Sequence, residues 1–193
     1  MIGRCLVLSG AVLLLLCIDS GFAAEDREIA GVSFPGETTV GGKALHLNGV
    51  ALRRAFLVVK VYAGGLYLEH PTQDPKEVIE SEQVKRLHLH YLTDRVTAAR
   101  LQDGFVTAIE KANPPELVEK YRAEIETYAS WFDRDAAPGT TALNTYVPGK
   151  GLTLTFDGEV KGTITGREFA QMYFRYNLGP EADSELRKGY LGL

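Results

Sequence analysis

The sequence predicts an α+β fold, an antiparallel sheet with helices segregated to one side. Three observations point there. Apolar residues alternate with a period of two in several blocks, most clearly in "VKRLHLHYL" and again in "LTLTF". Two consecutive segments of helical period separate the early strands from a late hairpin, marked by Asp157-Gly158. The resulting order is strands, two helices, a hairpin, then helices, which is the order of segregated layers.

The 193-residue chain begins with Arg4 and the apolar run "CLVLSGAVLLLLCI", followed by "GFA" and the polar "EDRE". This pattern reads as a secretory signal peptide over residues 1–23, leaving a single domain over 24–193 in the periplasm or outside the cell. The apolar core is short for a membrane anchor, so no integral membrane segment is expected once the leader is removed. Leu16 before Cys17 is too large for a lipidation signal. Cys5 and Cys17 are the two cysteines and both precede residue 24, so the mature domain is expected to have no disulfide and no thiolate metal site. The formal net charge of -4 comes without a basic stripe, and nucleic acid is excluded as a partner class.

The elements follow in order. "VSFPGETTV" reads as an early strand. "GGKALHLNGVAL" reads as a turn and a strand closing on the turn dipeptide Asn48-Gly49. The stretch Arg53–Leu68 reads as one central strand, with Leu57, Val59, Val61 and Ala63 on one face and Phe56, Val58, Lys60 and Tyr62 on the other. "AGG" inside it marks a bulge or a close backbone approach. In "VKRLHLHYL", Leu87, Leu89 and Tyr91 share a face opposite His88 and His90. Ala98, Leu101, Phe105, Ala108, Ile109 and Ala112 make a first helix, capped by Thr93 or Asp94 and ended by Asn113-Pro114-Pro115. Leu117, Tyr121, Ile125, Tyr128 and Phe132 make a second. "LNTYV", "LTLTF" and "EVKGTI" are strands. Phe169, Met172, Tyr173 and Tyr176 stripe a further helix before a short one around Leu186.

Several chemistries find no support. There is no G-x-S-x-G, no G-x-x-x-x-G-K-[ST] and no G-x-G-x-x-G in the sequence. No cofactor is implied. His88 and His90 could give two metal ligands on one strand face, but the sequence names no third, and a solvated strand face is the simpler expectation. The charged feature with most to say is the set Arg54, Lys60 and Tyr62, evenly spaced and so on one face if the strand is continuous. Two explanations compete: cations reaching water from the strand's ends, or an anion site in an apolar cleft.

"LNGVALRRAFLVVKVYAGGLYL", "LNTYVPGKGLTLTFDGEVKGTITGREF" and "YNLGPEADSELRKGYLG" resemble the chalcone isomerase-like family, over about Gly31 to Leu193. The resemblance implies an open-faced β-sandwich, a large antiparallel sheet with helices layered on one face. It also implies a cleft. Isomerases of the family use an arginine there, which falls at Arg53 or Arg54. Strand parity favours Arg54. The isomerases carry threonine where this chain has Tyr62, and a tyrosine and an asparagine where it has Thr97 and Gly104. A polar residue near their "LG" helix end falls at Tyr176. Fatty-acid-binding members hold a carboxylate in the same cleft.

The resemblance and the residues together give three expectations. The first is a non-catalytic exported protein that holds a small amphipathic carboxylate, such as a fatty acid, through Arg54, Tyr62, Arg53, Lys60, Thr97 and Tyr176. The second is an intramolecular lyase or isomerase using Arg54 or Arg53 on an enone or phenolic substrate. The third is a structural or partner-binding protein with a vestigial cleft.

Overall fold

A computed structural model describes residues 25–55 and 58–193. The expected leader over residues 1–23 lies outside the described residues, and so do Phe56 and Leu57. The match to the expected α+β architecture is close. A seven-stranded, wholly antiparallel sheet runs in sequence order β3-β4-β5-β6-β7-β8-β9, with a separate two-stranded β1-β2 hairpin. The strands are β1 Arg27–Ile29, β2 Val32–Phe34, β3 Glu37–Val40, β4 Lys43–Ala55, β5 Val59–Leu68, β6 Lys85–Tyr91, β7 Thr141–Val147, β8 Gly151–Phe156 and β9 Glu159–Ile164. The helices are α1 Pro75–Glu80, α2 Ala98–Ala112, α3 Pro115–Lys120, α4 Arg122–Ser130, α5 Arg167–Leu178 and α6 Ser184–Leu191.

The sheet's two faces bury different things. Leu66, Leu87, Leu89, Tyr91, Leu152, Leu154 and Phe156 face the helices and make the main core with Phe105, Ile109, Tyr128, Phe169 and Met172. The opposite face packs a smaller core of Leu45, Leu47, Ala63 and Tyr67 against Phe34 of the β1-β2 hairpin. That division is the period-two pattern made physical, because alternate side chains of one strand serve opposite layers.

Local chemistry sets the element ends. Asp157 and Gly158 both take positive φ (50° and 79°), the two-residue turn that suits a right-twisted hairpin between β8 and β9. Thr97, not Thr93 or Asp94, caps α2, its hydroxyl accepting from the Arg100 amide at 3.3 Å. Asn113 ends α2 before two prolines, as expected. The segment read as one second helix is two, α3 and α4, joined at Tyr121.

Three strand assignments are corrected. The block "VSFPGETTV" is two strands, β2 and β3, in different sheets, broken at Pro35-Gly36. Asn48-Gly49 is not a turn; it lies within β4, at a shift of register between Leu47 and Gly49. Arg53–Leu68 is not one strand; β4 and β5 form a hairpin that turns between Ala55 and Val59. The turn has none of the glycine, proline or asparagine that usually punctuates one, so alternation reads straight through it. "AGG" does mark close approach. Gly65 receives the Phe34 ring, where a Cβ would come within 2.6 Å of Phe34 Cδ1, and Gly64 receives Tyr190 on the opposite face.

Candidate functional site

A cavity of about 360 Å³ opens between the helix-side face of the sheet and helices α2, α5 and α6. It is at the lower end of the roughly 300–1,000 Å³ typical of small-molecule sites, and equals the liquid volume of about twelve waters at about 30 Å³ each. Its walls mix apolar and polar groups. The apolar ones include Leu89 from β6, Leu101, Phe105 and Ala108 from α2, Phe132 after α4 and Leu186 from α6. Arg53, Arg100, Lys111, Glu181 and Asp183 supply charge to the lining. Tyr62, Tyr91, Tyr173 and Tyr176 supply phenols, and Asn144 and Asn177 supply amides.

The β4-β5 hairpin decides which arginine belongs to the site. Arg53 pairs directly across from Tyr62, and Tyr62 from Tyr91. Direct cross-strand partners share a face, so Arg53, Tyr62 and Tyr91 all project to the helix side. Arg54 pairs with Lys60 instead, across a register shift, and both are exposed. The parity count that favoured Arg54 crosses a turn and is therefore corrected: Arg53 lines the cavity, while Arg54 and Lys60 do not. Thr97 is also outside the lining, with its hydroxyl committed to capping α2. Tyr176 does line it, as does Gly104, the position matched to an isomerase asparagine.

Arg53 is already paired. Its Nη1 lies 2.5 Å from Asp183 Oδ2, with 41% and 39% of the two side chains exposed. Behind it, burial pushes the Tyr62 phenol well above its ordinary range; neighbouring Tyr190, Tyr176 and Tyr91 add to the rise, and Arg53 opposes it. Burial likewise raises Tyr176 and Tyr91. These phenols stay neutral at pH 7 and can donate to an oxygen. Tyr62 and Tyr91 meet edge to face at 5.8 Å, and Tyr173 and Tyr176 do so at the same separation. Tyr190 is fully buried, and its hydroxyl has no hydrogen bond of normal geometry. At the sheet side of the cavity, Asn144 is held by Tyr128, whose hydroxyl donates to its Oδ1 at 2.6 Å, and donates to the Leu87 carbonyl at 3.3 Å.

Sequence reasoning missed Asp183, Arg100, Lys111 and Glu181. Arg100, Gly104, Ala108 and Lys111 do recur at the three- to four-residue spacing of a single helix face. The apolar stripe Leu101, Phe105 and Ile109 runs beside it on the same helix and is the stronger pattern. His88 and His90 are not a freely solvated pair. His88 packs edge to face on Phe34 at 5.4 Å, under the β1-β2 hairpin. Burial pulls its pKa down to about 4, with His90 and Arg86 adding to the drop. Among the described residues no cluster of three or more His, Cys, Asp or Glu is placed to hold a metal ion.

No curated protein sequence matches the chain. Among solved structures, the fatty-acid-binding protein AtFAP1 of Arabidopsis thaliana superposes with a TM-score of 0.70 at 17% identity, covering 86% of this chain and 96% of that one. At that identity the likeness concerns the fold. The chalcone isomerase-like family profile matches residues 26–192, nearly all of the described chain. With its seven-stranded antiparallel sheet, helix layer and intervening cleft, the chain belongs to the chalcone isomerase-like family.

Proposed function

We propose that this protein binds a small amphipathic carboxylate, of the fatty-acid kind, in the cavity between the sheet and α2, without turning it over. One observation carries the reading: a guanidinium, Arg53, lines a cavity together with Leu89, Leu101, Phe105 and Phe132, beside two neutral, partly buried phenols, Tyr62 and Tyr176. The head group would take Arg53 and a phenol hydrogen, and the tail would run against Leu89, Leu101, Phe105 and Phe132. Burying about ten methylenes at roughly 0.8 kcal/mol each contributes on the order of 8 kcal/mol. Ordering and lost motion remove several kcal/mol. About 4–6 kcal/mol then remains, a dissociation constant between about a millimolar and tens of micromolar, and no catalytic machinery is needed. The fatty-acid-binding neighbour of the same fold supports this choice of ligand class.

The isomerase reading is the weaker one. Catalysis needs donors that tighten on the transition state. At the two helix positions where the isomerases carry tyrosine and asparagine, this chain has a threonine spent on a helix cap and a glycine. The leader expected over residues 1–23 would place the protein in the periplasm or outside the cell, which cell fractionation tests directly.

Calorimetric titration with decanoate tests the binding reading. Arg53→Gln is expected to weaken binding about tenfold or more, the scale of a charge-assisted hydrogen bond. Arg54→Ala is expected to bind like the wild type. Equal affinity in the wild type and Arg53→Gln would overturn the anion site, as would no binding at all.

A further inference from the structure

The segment between α5 and α6, Gly179–Asp183, contributes Glu181, Ala182 and Asp183 to the cavity lining and is tied down at two points. Asp183 holds Arg53 of β4 at 2.5 Å, and Glu181 holds Lys111 of α2 at 3.2 Å. The two oxygens of Asp183 have separate work. Oδ1 caps α6, accepting from the amides of Glu185 (3.0 Å) and Leu186 (3.2 Å). Oδ2 alone faces the arginine. A carboxylate from the protein itself therefore already takes one donor of Arg53, at Nη1, and offsets the charge that an incoming carboxylate would seek.

We propose that Asp183 is a specificity-determining residue of this cavity: its carboxylate is a resident competitor that a ligand's carboxylate must displace from Arg53. This rests on the binding reading above and deepens it. Exchanging one carboxylate for another on the same guanidinium changes little in net electrostatic energy. What drives the exchange is then the apolar tail, because only a ligand with a tail gains by entering. The site thereby selects long amphiphiles and rejects short carboxylates, which bring a head group and nothing else. An acidic strap over a cationic site also lets the empty protein keep its arginine partly neutralised beside an apolar hollow.

Asp183→Asn separates the two roles, since asparagine caps a helix as well as aspartate does. Decanoate and 1-decanol are titrated into the wild type, Asp183→Asn and Glu181→Gln. Asp183→Asn is expected to bind decanoate about two- to fivefold more tightly, the scale of a half-exposed ion pair, and to leave decanol affinity unchanged. Glu181→Gln loosens the strap without freeing Arg53, so it is expected to move both probes together or neither. Should Asp183→Asn prove unstable in a thermal melt, Asp183→Ser keeps a capping oxygen without the charge and is used in its place. The inference is overturned if the Asp183 variant leaves decanoate affinity unchanged or lower, or tightens both probes alike. If that happens while Arg53→Gln still weakens decanoate, the binding reading survives alone. Decanoate binding by neither the wild type nor the Asp183 variant overturns both.

Discussion

Gly49 and Gly189 meet backbone to backbone where α6 crosses β4. A Cβ on Gly49 would come within 2.7 Å of the Tyr190 carbonyl oxygen and closer still to that of Gly189, and a Cβ on Gly189 would come within 2.6 Å of the Val50 carbonyl oxygen. Asp183 caps the same helix and the same strand carries Arg53, so this contact joins the two elements that carry the ion pair at the cavity.

Gly189→Ala should therefore destabilise the protein, although alanine in an isolated helix is favoured by roughly 0.5–1 kcal/mol. The steric cost of prising α6 from β4, about 1–3 kcal/mol, outweighs that gain. Urea unfolding measures the sign. A variant as stable as the wild type would mean that α6 shifts at no cost.

Gly104 poses the opposite case. It sits inside α2 on the cavity lining, and a Cβ there meets nothing within 4 Å. Gly104→Ala is expected to stabilise by roughly 0.5–1 kcal/mol. Gly104→Phe is expected to retain the fold and lose decanoate binding by filling the mouth. Thermal melting and titration check the two halves separately.

Lys85 should make stability rise with pH. It is 1% exposed, and its Nζ donates to the carbonyls of Val78 and Ile79 at the end of α1, over the rings of Tyr146 and Phe174. Burial lowers its pKa from 10.5 to about 8, with Glu82 opposing. Between those values the unfolded chain binds the extra proton, so stability increases as pH rises through that window. Above pH 10 the buried tyrosines act in reverse, because Tyr128 and Tyr173 resist ionising when folded. The rise is thus confined to about pH 8–10. Urea midpoints across this range should show it in the wild type and not in Lys85→Met.

His88 gives an acid counterpart. Its pKa falls from 6.5 to about 4 on folding, through burial beneath the β1-β2 hairpin. The group adds stability above pH 6.5 that is lost as pH falls through 4. In His88→Leu, which keeps an apolar surface for Phe34, the loss of stability between pH 6.5 and 4 should be smaller. An identical acid profile would show that the imidazole remains solvated.

The broad order of strands and helices, and the two faces of a strand such as β6, were legible in the sequence. Periodicity is a local property, and burial of alternate positions imposes it whatever the partner. Leu87, Leu89 and Tyr91 could be assigned to one face before their neighbours were known. The glycines at 64 and 65 likewise announced close approach, since only backbone space explains their place in an apolar strand. Short elements escaped. The six-residue α1 and the three-residue β1 are too brief to establish a period.

The site was decided by tertiary structure. A turn without turn residues, between Ala55 and Val59, shifts the parity of everything counted across it, and so Arg53 rather than Arg54 reaches the cavity. Asp183 comes from 130 residues away to hold that arginine. Sequence alone determined which residues prefer water and which avoid it, because that preference belongs to each side chain and its near neighbours. Which charges meet over the hollow was settled only when β4, α2 and α6 packed, because ion pairing depends on distance in space and the chain's order does not encode it.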